Sequence, residues 1–232
     1  MSGRAAERSP LDTFEWPAKL AAHVVSPGPR PALHGYDVEG DLARHYSFAE
    51  VILLALTGEP PSPERGRAFD VAVVFASPVT VAEAPTHAAV IARACTASAS
   101  QMQGVTAIAL AEQARVLVEE HRGWIESLSA ALPAELPAHL RAATDDERAS
   151  VARLRRALAG TIDVPALALD PSRPAALLAT LHACGVTSPE RIECALVWAR
   201  LPVAMAEALA TPPSRAMQYP LQLPAIVYEE EP

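Results

Sequence analysis

The sequence predicts an all-α fold. Apolar residues recur at three- and four-residue spacing, Ser, Thr and Pro open those segments as helix starts do, and strand signals are few. Alanine is abundant and aromatics are only 5% of the chain, so small side chains suit close helix–helix approach.

Residues 1–12 read as a loose tail. "TFEWPAKLAAHVV" predicts a short amphipathic helix, ended by Pro27, Pro29 and Pro31. In "HGYDVEGDL", Gly35 and Gly40 permit tight turns. "SFAEVILLALTG" carries a full helix signature. Ser47 can cap, Glu50 stands three residues on as in a capping box, and Gly58 closes the segment before two prolines. Its predicted apolar face is Phe48, Val51, Leu54 and Ala55. Residues 62–76 form the next helix, with Ser62 before a proline in the first turn.

A long segment begins at Pro85 and Thr86. It reads as two helices with a soft break near Ser98 to Gly104, and "ALAEQARVLVEEH" within it is an uninterrupted run of strong helix formers. "LPAELPAHLRAA" is a Pro-punctuated connector. "TDDERASVARLRRALAG" starts at Thr144 with acids in its first turn and ends at Gly160. "RPAALLATLHACG" and "SPERIECALVWARLPVAMAEALA" are the last helices, and "TPPSRAMQYPLQLPAIVYEEEP" is an extended tail. There is no internal repeat or low-complexity tract.

A chain of 232 residues, half of them apolar, can bury a substantial core as one large domain or a main domain with a smaller lobe. The net charge of −8 argues against binding a phosphate backbone, so no nucleic-acid partner is expected. No apolar run approaches the roughly 20 residues of a membrane span, and the first ten residues lack the apolar stretch of a secretory signal. The expected location is the cytoplasm. Cys95, Cys184 and Cys194 have no metal or redox spacing and read as buried thiols in a reducing compartment.

A general scan for chemistry finds no phosphate-binding Gly-rich loop, no HExxH and no GxSxG. No two of the seven histidines are four residues apart, so no metal site is expected. No tightly bound cofactor is expected either.

Four stretches, in order, go further. "GYDVEGDLARHYSFAEVILLALTGEPPSPE" resembles the small citrate synthase and citryl-CoA lyase branch of the citrate synthase superfamily. "PTHAAVIARACTASASQMQGVTAIALAEQA", "CALVWARLPVAMAEAL" and the terminal "PPSRAMQYPLQLPAIVYEEEP" resemble later segments of the same family. The resemblance implies a large helical domain spanning residues 34–232, with a smaller helical lobe at roughly 115–195 inserted, after a tail and short helix at 1–33. It also implies a homodimer, or a heterodimer with a paralogous subunit. The implied reaction joins acyl-CoA to a 2-oxo acid or cleaves citryl-CoA, with CoA or acyl-CoA as substrate. A carboxylate takes the proton, histidines polarise oxygens, and arginines clamp the oxo acid.

Carried over position by position, the resemblance leaves the site degraded. Where the family has His-Gly-Gly-Ala, this chain reads "LAEQA", with Ala111 near the histidine and Glu112-Gln113 near the glycines. Glu83 takes the oxo-acid histidine's place, and a carboxylate there repels a dicarboxylate. His139 aligns with the third histidine; its other reading is a plain loop histidine. Asp146 and Arg148 align with the acid and arginine downstream. Asp170 stands one residue out of register for the catalytic carboxylate, and otherwise only opens an Asp-Pro-Ser turn. Asp163 is the poorer candidate. Arg200 keeps the family arginine of Arg-Leu-Pro and Arg215 that of the terminal turn, and both also read as structural ion-pair partners. Val203 and Glu207 replace the glycine and histidine that follow. The expectation is therefore a kept scaffold with impaired or lost catalysis and a structural or regulatory role. The alternative is an active enzyme with a remodelled pocket, in which Asp170, His139 and Arg200 are what remains of the site. A separate reading gives Glu83 or Glu112 a new role as proton donor.

Overall fold

The computed structural model describes residues 19–213. The chain forms two compact units, with the division between His45 and Tyr46.

In the first unit, the prolines dictate extended backbone. Pro27, Pro29 and Pro31 lack an N–H and push the residues before them out of helical geometry. The described part of the expected amphipathic helix, residues 19–25, is accordingly not helical. Instead β1 (Val25–Ser26) pairs antiparallel with β2 (Ala32–Leu33), and β2 with β3 (Tyr36–Asp37). His34 and Gly35 join β2 to β3 with φ of 48° and 87°, the double positive φ that a tight hairpin requires. Asp37 then caps a π-helical turn, Val38–Leu42, by accepting from the Glu39 and Gly40 N–H groups at 3.0 and 2.7 Å. A short helix, α1 (Ala43–His45), follows.

The second unit is helical. α2 (Phe48–Thr57) has the predicted capping box: Glu50 N donates to Ser47 Oγ at 3.3 Å, and Ser47 N to Glu50 Oε2 at 2.7 Å. Gly58 ends it at φ 82°. Its buried face is Ala49, Leu53 and Leu54; of the predicted set only Leu54 is buried, and Phe48 is exposed with its ring edge-on to Trp198 at 5.8 Å. α3 (Pro63–Ala76) starts at Ser62 as expected. α4 (Ala84–Ala94) and α5 (Ala99–Glu120) are the two helices of the long segment. The break between them falls at Cys95–Ser98, earlier than predicted. Thr96 turns the chain at φ 61°, Ser98 and Gln101 form a second capping box, and Gly104 lies inside α5.

α6 (Arg122–Ser129) follows at once. The connector has one 3-10 turn (Ala138–Leu140), and α7 (Asp145–Ala157) is capped by Thr144. A 3-10 turn (Pro165–Leu169) leads to α8 (Arg173–Ala183) and α9 (Pro189–Ala210).

α8 is the central element. Ala175 to Leu181 are all buried, as in a helix surrounded on every side. It packs against α3, α6, α7 and α9, and Trp124 Nε1 donates to the Ala175 carbonyl at 3.0 Å. The long helices α5 and α9 pack along each other, with α4 against both, around Ala89, Met102, Met205 and Ala208. Each large side chain so buried contributes about 1.5–3 kcal/mol, so this scaffold stands on packing and not on any one polar contact. The cysteine expectation is corrected here: Cys184 is buried, but Cys95 and Cys194 are exposed.

Candidate functional site: a cleft at the start of α8

The end of α3, the start of α4, the middle of α5, the first turn of α8 and the middle of α9 enclose a cavity of about 280 Å³. Its polar wall is Glu83, Gln113, Arg173 and Arg200, and its apolar wall includes Phe75, Leu117, Leu177 and Leu196.

The polar residues form one chain of hydrogen bonds. Arg200 donates through Nη1 to Gln113 Oε1 at 2.8 Å and through Nε to the Ala76 carbonyl at 3.0 Å. Gln113 Nε2 donates to Glu83 Oε2 at 2.9 Å, and the Thr80 N–H to Glu83 Oε1 at the same distance. Arg200 Nη1 also lies 3.7 Å from Glu83 Oε2, the two side chains being 23% and 32% exposed. A carbonyl faces the guanidinium and an amine faces the carboxylate, which fixes the orientation of the Gln113 amide. Burial pushes the Arg200 guanidinium down from its ordinary value; Glu83 opposes this and Arg173 adds to it. Arg173 itself donates to the Phe75 carbonyl at 3.0 Å.

The helical register explains who faces in. α5 buries Met102, Thr106, Leu110, Ala114 and Val118, so Gln113 borders the buried face while Glu112 is exposed. Glu112 instead takes Arg115 Nε at 3.0 Å, and that hydrogen bond holds its carboxyl below the usual range. Of the two carboxylates considered for a new role, only Glu83 reaches the cleft.

Asp170, His139 and Arg148 do not line this cavity. His139 and Asp170 lie on the two loops that flank α7, and Arg148 in the first turns of α7 itself. Ala142 N donates to the Asp170 carbonyl at 3.1 Å and Ser172 N to the Leu140 carbonyl at 2.6 Å, so the two loops are stitched together. Asp170 is exposed, in left-handed backbone at φ 53° and ψ 52°, three residues before Arg173. Arg148 donates through Nη2 to Asp145 Oδ1 at 2.7 Å and through Nη1 to the Ala142 carbonyl at 3.1 Å. The Asp145 hydrogen bond, and then the charges of Asp145 and Asp170, hold its guanidinium above the ordinary value. His139 is exposed on its 3-10 turn. Asp146 is exposed in the first turn of α7. Asp163 lines a separate cavity beyond the end of α7. Arg215 lies outside the described residues. Among the described residues no group of three His, Cys, Asp or Glu side chains is placed to hold a metal ion.

No protein-family model and no curated protein matches the sequence. Solved structures do match the coordinates. Citryl-CoA lyase from Hydrogenobacter thermophilus aligns over 92% of this chain and 97% of its own, with 18% identity and a TM-score of 0.65. ATP citrate lyase from Methanothrix soehngenii, solved in complex with citrate and coenzyme A, aligns over 95% of this chain and 44% of its own, with 11% identity and a TM-score of 0.58. The chain has the citrate synthase-like fold. The all-α expectation and the resemblance stated from the motifs agree with it.

Within that fold, Glu83 and Gln113 meet in space with Arg200. Sequence reasoning missed Gln113 as the joining residue and missed Arg173 altogether. The signal for Gln113 was the i, i+4 series from Met102 to Val118, which sets its side of α5 apart from that of Glu112. Arg173 had only its place at the first helical position after a capping serine.

Proposed function

We propose that this citrate synthase-like protein has impaired or lost acyl-CoA/2-oxo acid chemistry and acts as a structural or regulatory subunit. Its assembly is a dimer with itself or with a paralogous chain, in the cytoplasm. One observation carries the reading: the hydrogen-bond chain Arg200–Gln113–Glu83 lines the cleft where the resemblance calls for substrate-polarising groups. Arg200 is engaged from within the protein, and among the described residues no histidine lines the cavity. Loss of a single oxyanion donor costs roughly two to three decades of rate, and groups that act as a unit fail together.

The test is release of free thiol from acetyl-CoA with oxaloacetate, and cleavage of citryl-CoA. The expected result is no rate above background in either direction; a rate well above it overturns the reading. Size-exclusion chromatography with light scattering is expected to show a dimer, and a monomer removes the subunit role.

A second reading is an active acyltransferase or lyase with a remodelled pocket and CoA or acyl-CoA as substrate. The open volume of the cleft, with two arginines on its wall, favours it. So does the solved complex of the fold relative ATP citrate lyase with citrate and coenzyme A. In this reading Asp170, His139, Arg148 and Arg215 are the residues to substitute first.

A further inference from the structure

The cleft also carries a statement about what it can hold. Its charged wall is Arg173, Arg200 and Glu83, two positive charges and one negative, so its lining has room for one more anionic group. Both oxygens of Glu83 are already held, one by the Thr80 N–H and one by Gln113. Arg200 spends Nε and Nη1 on Ala76 and Gln113, and Arg173 spends Nη2 on Phe75. The remaining edges, Nη2 of Arg200 and Nε and Nη1 of Arg173, make no hydrogen bond to a described residue. Such edges match one carboxylate. The apolar part of the wall includes Phe75, Leu117, Leu177 and Leu196, which favours hydrocarbon. A cavity of about 280 Å³ is at the small end for a ligand site and suits an acid of a few carbons.

We propose that the cleft binds a small monocarboxylic acid through the free edges of Arg173 and Arg200, and that Glu83 excludes a second carboxylate. The inference rests on the reading that this cleft is remodelled relative to its fold relatives, and it names the ligand class that the remodelling selects. Glu83 is the specificity-determining residue. A dicarboxylate would place its second negative charge beside a fixed carboxylate whose hydrogen bonds are already satisfied by the protein.

Calorimetry on the full chain at low ionic strength, without any CoA ester, tests this with matched four-carbon pairs: butyrate against succinate, and 2-oxobutyrate against oxaloacetate. The wild-type protein is expected to bind each monoacid at least ten-fold more tightly than its diacid. Glu83→Gln keeps the shape, removes the charge, and is expected to raise diacid affinity ten-fold or more. Arg173→Ala, at an exposed position, is expected to weaken both monoacids ten-fold or more. Thermal melts check that each variant is folded. Diacid binding as tight as monoacid binding in the wild type overturns the proposal, as does an unchanged preference in Glu83→Gln or the absence of any monoacid binding. Thiol release bears on the loss of catalysis and leaves these isotherms untouched, so the two readings fail separately.

Discussion

Gly66→Ala sets two effects of similar size against each other, and the structure decides between them. Gly66 lies in α3, where alanine is favoured by about 1 kcal/mol through helix propensity. Considered alone, the substitution stabilises. An added Cβ, however, would meet Glu50 Oε1 and lie 2.6 Å from Glu50 Cγ and 2.8 Å from Cδ. No real contact is that short, so Glu50 must move. Its carboxylate is half of the capping box of α2, accepting from Ser47 N at 2.7 Å. Losing that bond costs about 1 kcal/mol, and crowding at a packed helix contact adds about 1–2 kcal/mol. The net expectation is destabilisation by about 1–2 kcal/mol. Urea unfolding of four proteins reads it: wild type, G66A, E50A and G66A/E50A. In the E50A background the three atoms nearest the new methyl group are gone, so G66A should there stabilise by about 0.5–1 kcal/mol. The sign of the G66A effect thus inverts between backgrounds. If G66A destabilises equally in both, the Glu50 contact is not the cause and the argument fails.

Gln113→Leu removes the amide between Arg200 and Glu83 and leaves a half-buried charged pair poorly bridged; a loss of about 1–2 kcal/mol in urea unfolding is expected, and an unchanged midpoint refutes it. At pH 8, a thiol reagent should label Cys95 and Cys194 in the native protein and Cys184 only on unfolding, as mass spectrometry of the labelled peptides will show. Burial pushes the Cys184 thiol up to about 12, against the smaller opposing effect of Arg65. The unfolded chain therefore ionises first, and this contribution to stability is complete below about pH 9 and lost between about 9 and 12; Cys184→Ala should flatten that alkaline decline. His182 shares a 2.8 Å hydrogen bond with Ser129, and burial lowers its basicity below 6.5. Its contribution is present above 6.5 and lost as pH falls through the depressed folded value, so His182→Gln should make the acid limb of a stability–pH curve shallower.

What was legible in the sequence was local. Ser47 with Glu50, Ser62 before Pro63, Thr144 before its acids, and the left-handed glycines Gly58 and Gly160 fixed helix ends because each acts within four residues of itself. Where phase or distant pairing mattered, the reading slipped. "VILLAL" is apolar all round, so its periodicity could not say that Leu53, not Phe48, faces inward. The pairing of Val25 with Leu33 leaves no period-two signature in strands two residues long. The exposure of Cys95 and Cys194 depends on which side of α4 and α9 meets neighbouring helices. In the cleft, Glu83 and Arg200 stood out by their motif positions, whereas Gln113 needed the choice between adjacent faces of α5.

The manner in which Arg200 is held bears on how the helices around the cleft are kept together. A guanidinium withdrawn from water is costly unless its donors find acceptors. In a cleft built to receive anions, a ligand can supply them. Here Gln113 and the Ala76 carbonyl accept its hydrogen bonds, and Glu83 supplies a nearby negative charge. Arg200 is thus satisfied from within the protein. Any anion that enters must work beside Glu83 and use only the edges Arg200 and Arg173 have left. Substituting Glu83 alone would therefore expose a positive cleft, while substituting Arg200 alone would strand a carboxylate. The two changes made together should cost less stability than their sum, which is the mark of residues that satisfy each other.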